Sequence, residues 1–180
     1  MHSPRQTEIL TLIYAIYVYG LLHFRKNPRA LAVLGSYIVL YSIAAFTSIH
    51  ELLMIFMGHG AELVFAGIFL YRAISGSSIV HALERPVYAF AGFYILLYDL
   101  RFSYRLMTSA DYRLEYGEAK GGGHWMDFSR ISLEYMGGKL ILLSLIFLLL
   151  TLSVPLVSYL FYRYRDYILN GAGWVFGESE

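Results

Sequence analysis

Residues 30–49 read ALAVLGSYIVLYSIAAFTSI, a run of twenty positions without a charged side chain. An α-helix rises about 1.5 Å per residue, so such a run matches the hydrocarbon core of a bilayer, which is about 30 Å thick. His50 and Glu51 follow immediately. Because a carboxylate at membrane depth costs several kcal/mol unless it is protonated, paired or bound to a metal, this pair indicates a functional site.

The composition of the whole chain indicates the same class of protein. Hydrophobic residues make up 58% of the 180 positions and charged residues only 15%, whereas soluble domains carry about 25% charged residues. We therefore predict a multi-pass protein of the cell membrane, with the lipid bilayer and a second membrane subunit as candidate partners. The net charge of +1 and the scattered basic residues argue against nucleic-acid binding. Since the chain has no cysteine, a bound metal must be held by His, Asp, Glu or Tyr.

The hydrophobic runs predict an all-α membrane helical bundle, a single domain over residues 1–180. Gly58 and Gly60 flank His59 and favour a tight turn, which would end the second helix at about residue 57. The predicted loop at residues 105–138 holds five of the thirteen acidic side chains and would cap one membrane face. About five transmembrane helices are expected, at approximately residues 8–24, 30–57, 61–80, 86–104 and 139–162.

The residues that carry chemistry are predicted to gather at one membrane face. Spans two and four run in the same direction, and the turn at His59 joins span two to span three, so these ends should be neighbours. The candidates are His50, Glu51, His59, Glu62, Asp99, His124 and Asp127. Imidazole and carboxylate groups suit a zinc or iron site with three protein ligands and one position open to water. Their spacing in the sequence does not decide which three would bind.

This pattern resembles the site-2-protease-type membrane metallopeptidases and related prokaryotic membrane proteins. In those enzymes an H-E-x-x-H motif on a membrane helix supplies two histidine ligands for zinc and a glutamate that activates water. The parallels continue in order across roughly residues 48–138. They are GAE at 60–62, LLYD at 96–99, SADYR at 109–113 and GGGHWMD at 121–127.

The resemblance implies roles for individual residues. His50 would be a zinc ligand and Glu51 the general base, while Asp99 or His124 would complete the ligand set. The sequence departs from the motif at Met54, which occupies the place of the second histidine and is a poor zinc ligand. His59 could replace the missing ligand if the helix breaks near Gly58, and without such a replacement the protein would be a relative that lacks peptidase activity.

Ordinary structural roles also account for several of these residues. Glu51 could form an interfacial ion pair with Arg101 or Arg105. His50 and His59 could simply hydrogen-bond to backbone carbonyls or water. Glu62 could cap the start of span three, since acidic groups suit a helix amino terminus.

Two further classes of function are compatible with the sequence. A haem-binding electron-transfer subunit would need paired histidines on facing spans, such as His23 with His81 and His50 with His59. A non-enzymatic membrane subunit or transporter-like protein would use the same polar residues to line a cavity or to grip a second chain.

Overall fold

The computed structural model describes residues 4–77, 79–118 and 127–176, with side chains from Thr11 onward in the first helix. Every regular element in these ranges is an α-helix. The helices are α1 (Pro4–His23), α2 (Pro28–Ala45), α3 (Ile49–Ser75), α4 (Glu84–Thr108), α5 (Ala110–Glu118), α6 (Asp127–Tyr135), α7 (Leu140–Arg163) and α8 (Arg165–Phe176). The all-α prediction is confirmed for the described part of the chain.

Three of the helices, α2, α3 and α7, are long and apolar enough to cross a membrane. Much of their apolar surface faces outward, and on α7 the exposed side chains include Leu149, Leu152 and Leu156. In water such a surface would be costly, whereas lipid tails accept it without penalty. The helices therefore support a location in a membrane and contact with the bilayer.

The chain forms two compact units, one of residues 1–50 with 166–180 and the other of residues 51–165. In the first unit, the Tyr14 hydroxyl on α1 lies 2.9 Å from the Ser42 hydroxyl on α2. The Asn27 side chain accepts hydrogen bonds from the first backbone N–H groups of α2 and donates one to the carbonyl oxygen of Val175 on α8. Asn27 therefore both caps α2 and fastens α8 to its amino end.

The second unit contains most of α3 together with α4, α5, α6 and α7 around one hydrophobic core. The core includes Leu63, Ala66, Leu70, Leu96, Phe102, Leu106, Phe128, Ile131, Leu143 and Phe147. Helices α3 and α4 approach closely at Gly92, where an added Cβ would lie 2.9 Å from Leu70 Cγ and 3.2 Å from the Ala66 carbonyl oxygen. Small residues at such crossings let membrane helices pack tightly.

The predicted turn around His59 is wrong, because residues 58–60 lie inside the continuous helix α3. The helix breaks at residues 46–48 instead, within the predicted span 30–57. There the Thr47 hydroxyl donates a 3.4 Å hydrogen bond to the Ala44 carbonyl oxygen. Hydroxyl groups that bond to nearby backbone compete with the helical ladder, which explains why α2 ends here.

Gly58 serves packing rather than a turn. A Cβ at this position would lie 2.9 Å from Asp127 Oδ2, so the missing side chain leaves room for the first residue of α6 to approach α3. A glycine inside a helix costs roughly 1 kcal/mol relative to alanine, and tertiary contacts readily outweigh that amount. Glycines flanking His59 were therefore a misleading turn signal.

Three short helices were not anticipated from the hydrophobic runs. Helices α5 and α6 lie within the predicted loop at residues 105–138, and α8 follows α7 after a break at Tyr164. All three are too short to span a bilayer, so a search for long apolar runs does not detect them.

Candidate metal centre

His59 and Glu62 lie three residues apart on α3. Residues at this spacing share one face of a helix, so their side chains can meet. The two are joined directly, since Nδ1 of His59 lies 3.2 Å from Oε2 of Glu62. The His59 side chain is 21% exposed and the Glu62 side chain 45% exposed, which leaves the glutamate open to solvent on one side.

Asp99 on α4 completes the cluster from the opposite helix. Its Oδ1 lies 4.0 Å from Nδ1 of His59, and its side chain has no exposed surface. Neither carboxylate oxygen has a hydrogen-bond partner among the described residues. The hydroxyl of Ser103 donates to the backbone carbonyl of Asp99, not to its carboxylate. A buried carboxylate in this position requires a proton or a cation to neutralise it.

Three phenylalanines enclose the imidazole of His59. The Phe102 ring stacks on it at 4.9 Å, and the rings of Phe128 and Phe147 meet it edge to face at 5.1 and 5.6 Å. These rings come from α4, α6 and α7, so four helices fix the imidazole. A ring held on several sides cannot easily turn away, which keeps Nδ1 directed at the two carboxylates.

The arrangement fits a divalent metal ion. One ligand atom from each of His59, Glu62 and Asp99 can be chosen so that all three lie within 4.8 Å of one another. Tetrahedral zinc with bonds of about 2.0–2.1 Å separates its ligand atoms by about 3.3 Å, so small side-chain movements would bring these atoms into range. One nitrogen and two oxygens leave a fourth position, and the exposed side of Glu62 offers a route for water.

Helices α5 and α6 close the core next to this cluster. The backbone N–H of Phe128 donates to the hydroxyl of Tyr116 over 3.4 Å, and the Tyr116 ring packs on Phe102. Burial raises the pKa of Tyr116 to about 12, with a smaller contribution from the negative charge of Asp127. Tyr116 is therefore a neutral hydrogen-bonding group at physiological pH.

The predicted catalytic residue Glu51 and its neighbour His50 lie in the first turn of α3 and do not join this cluster. Eight residues separate Glu51 from His59, which amounts to about 12 Å along a helix. Glu51 is exposed, and its Oε2 accepts a 3.3 Å hydrogen bond from the Tyr135 hydroxyl. None of the ion pairs in the described ranges joins it to Arg101 or Arg105.

The other sequence-based assignments have different outcomes. His59 and Asp99, two of the predicted ligands, come together, whereas the predicted ligand His124 lies outside the described residues. Glu62 cannot cap a helix start, because it lies in the middle of α3. The haem pairing of His50 with His59 is also excluded, since both residues lie on the same continuous helix and cannot face each other from two spans.

The sequence pattern makes Glu62 a candidate site residue but does not indicate that it contacts His59. The spacing H-x-x-E was a usable signal, but the predicted turn at residues 58–60 placed the two residues on different helices. The phenylalanines around His59 gave no signal, because their arrangement depends on how α4, α6 and α7 pack.

The chain matches no protein-family model, no curated protein and no solved structure. Its function is therefore inferred from the geometry of the cluster and from the apolar helices.

Proposed function

We propose that this chain is a multi-pass membrane protein that binds zinc through His59, Glu62 and Asp99. The observation that carries the proposal is the carboxylate of Asp99, which is fully buried, has no hydrogen-bond partner among the described residues and lies 4.0 Å from the His59 imidazole. Carboxylates close together repel each other unless a proton or a cation lies between them. A divalent cation satisfies both carboxylates and the imidazole at once.

We further propose that α1 and α4 join α2, α3 and α7 as membrane helices, giving five spans in the cell membrane. Helix α4 has 25 residues, a length of about 37 Å, and displays exposed Phe90, Phe93 and Leu97. Its Asp99 is sheltered inside the second unit, as intramembrane charges usually are. Helix α1 has 20 residues and contains an apolar stretch from Thr11 to His23.

We also propose a relationship to the site-2-protease-type metallopeptidases in which the metal ligands are different residues. His59 and Glu62 on α3, followed by Asp99 on the next helix, would take over the ligand roles that the resemblance gave to His50 and its partners. Zinc held by three protein ligands supplies a Lewis acid. In this chain Asp99 and Glu62 would hold the ion, and the phenylalanines would keep the His59 nitrogen in place.

The test is metal analysis of the full chain purified in detergent. We expect close to one zinc ion per chain after incubation with zinc and desalting, and at least tenfold less in Asp99→Asn and His59→Gln. Glu51→Gln and His50→Gln are matched controls, because they change the same residue types on the same helix and should retain the metal. Iron and manganese are measured in the same samples, since the ligand set also suits them.

Three results would overturn the proposal. They are a metal-free wild type after zinc incubation, equal loss of metal in the control variants, and full metal content in Asp99→Asn. A metal-free wild type would favour a second function, in which Asp99 and Glu62 share a proton beside His59. Intramembrane carboxylates and histidines of this kind form proton relays in transporters, so that result would support the transporter-like alternative.

A further inference from the structure

A groove lies where α4 ends, α5 passes and α7 begins. Its volume is about 510 Å³, within the range of small-molecule sites. The lining residues are Arg113, Gly138, Lys139, Leu140, Ile141, Leu142 and Leu145. One end of this groove is therefore cationic and the other is entirely aliphatic.

The cationic end consists of Arg113, which is held by hydrogen bonds, and Lys139, which is exposed. Nη1 of Arg113 donates to the carbonyl oxygens of Leu106 and Met107 at 3.0 and 3.1 Å, which anchors the guanidinium at the end of α4. Lys139 is exposed and immediately precedes α7. Within the described ranges neither side chain forms an ion pair, so two positive charges face the groove without a carboxylate partner there.

The backbone before α7 leaves open space beside the groove. Gly137 and Gly138 adopt positive φ angles of 60° and 80°, which side chains rarely tolerate, and Gly138 itself lines the groove. The chain therefore turns sharply without placing a side chain there. At this turn the backbone N–H groups of Lys139 and Leu140 already donate to the carbonyl oxygens of Met136 and Gly138, so the positive charge at the groove comes from side chains.

The aliphatic end continues directly into a membrane helix. Leu140, Ile141, Leu142 and Leu145 form the first turns of α7, which is long and apolar enough to cross a bilayer. The start of such a helix is where lipid phosphates lie, with acyl chains extending along the helix. A soluble anion would leave this aliphatic wall unused.

We propose that the groove binds an anionic phospholipid. The phosphate lies between Arg113 and Lys139, with the guanidinium as a hydrogen-bonding partner, and an acyl chain runs along Ile141, Leu142 and Leu145. Basic pockets at the ends of transmembrane helices recognise anionic head groups in this manner. The inference concerns a site separate from His59 and does not require a bound metal.

Native mass spectrometry of the full chain in detergent tests this site. The probes are phosphatidylglycerol and phosphatidylcholine with identical acyl chains, and inorganic phosphate at millimolar concentration is added as a competitor. We expect the wild type to bind phosphatidylglycerol at least tenfold more tightly than phosphatidylcholine. Lys139→Gln should weaken phosphatidylglycerol binding about fivefold, as expected for one basic residue near a charged lipid surface.

Arg163→Gln is the matched control, because it removes one positive charge from the opposite end of α7 and should leave binding unchanged. Arg113→Gln should weaken binding further, but it also removes hydrogen bonds to α4 and could disturb folding. The Lys139 side chain is exposed and forms no hydrogen bond or ion pair with a described residue, so Lys139→Gln should fold normally and test the site alone. Equal binding of the two lipids, an unchanged Lys139→Gln variant, or displacement of the lipid by inorganic phosphate would overturn the proposal.

Discussion

Helix α3 carries two pairs of a histidine and a glutamate, and they differ in spacing, exposure and contacts. The first pair is His50 and Glu51, and the second pair is His59 and Glu62. His50 and Glu51 are adjacent, so their side chains leave the helix about 100° apart, whereas His59 and Glu62 are three residues apart and share a face. Glu51 is exposed and bonded to one tyrosine hydroxyl, while Glu62 bonds to His59 opposite the buried Asp99. A site requires convergence of side chains, and adjacency in sequence does not provide it.

The first pair has a structural explanation of its own. Helix α3 begins at Ile49, which places Glu51 in its first turn. Acidic side chains are favourable there because of the helix dipole. Glu51 thus helps to start the helix on which the second pair lies.

The largest expected effect comes from Asp99→Asn, which should change thermal stability in opposite directions with and without zinc. With zinc at a hundred times its Kd, binding stabilises the wild type by about 2.7 kcal/mol, or roughly 6 °C or more in Tm, and the variant should gain none of this. With a chelator, the variant should melt roughly 2–4 °C higher, because a neutral amide costs less to bury than a carboxylate that receives no hydrogen bond from the described residues.

Scanning calorimetry or intrinsic fluorescence in detergent measures both conditions. Glu51→Gln is the control, and its melting temperature should follow that of the wild type with and without zinc. A variant that melts lower than the wild type under both conditions would show that Asp99 has an ordinary packing role. The pair of His59 and Glu62 would then not differ from the pair of His50 and Glu51 by belonging to a metal site.

A smaller effect, on stability at alkaline pH, is expected at Tyr116, which links α5 to α6 beside His59 and Glu62. Its pKa is raised to about 12 from an ordinary value of about 10, so the folded state holds the proton more tightly than the unfolded state. The stability that this provides is complete below pH 10 and is lost as the pH rises toward 12. Between pH 8 and pH 10.5 the wild type should lose about 1 kcal/mol through this group.

Tyr116→Phe should remove this part of the stability loss at alkaline pH. At pH 8 the substitution should lower the free energy of unfolding by about 1 kcal/mol, because the Phe128 N–H loses its acceptor. Denaturation at the two pH values measures the difference between wild type and variant. Tyr104→Phe is a useful control, since Tyr104 is an exposed tyrosine in the same unit. An identical alkaline loss in the wild type and Tyr116→Phe would contradict the prediction.

The sequence was sufficient for the helical class and the membrane location, because these depend on local composition and on the length of apolar runs. It also identified His59 and Asp99 as candidates, since charged and imidazole groups within such runs are conspicuous. The turn at Gly58 was wrongly predicted because glycine can serve either a bend or a close approach. Only the position of Asp127 against α3 shows that Gly58 serves a close approach.

Other features could not be derived from sequence, because they depend on several helices at once. Phe102, Phe128 and Phe147 meet around His59 only after α4, α6 and α7 have packed. The groove at Lys139 likewise combines Arg113 of α5 with residues before and within the first turns of α7. Local patterns indicate which residues are unusual, whereas packing decides which of them meet.

The smallest effect is expected at the first pair. Tyr135→Phe removes the hydroxyl that donates to Glu51, but Glu51 is exposed and Tyr135 is partly exposed, so water replaces the lost hydrogen bond. We expect a shift in Tm below about 1 °C and unchanged zinc content, as is usual for surface substitutions. Glu51→Gln should behave the same way, because a glutamine oxygen still accepts from Tyr135. If either variant instead lost its metal while remaining folded, the first turn of α3 would belong to the metal centre, and the contrast between the two pairs would have to be abandoned.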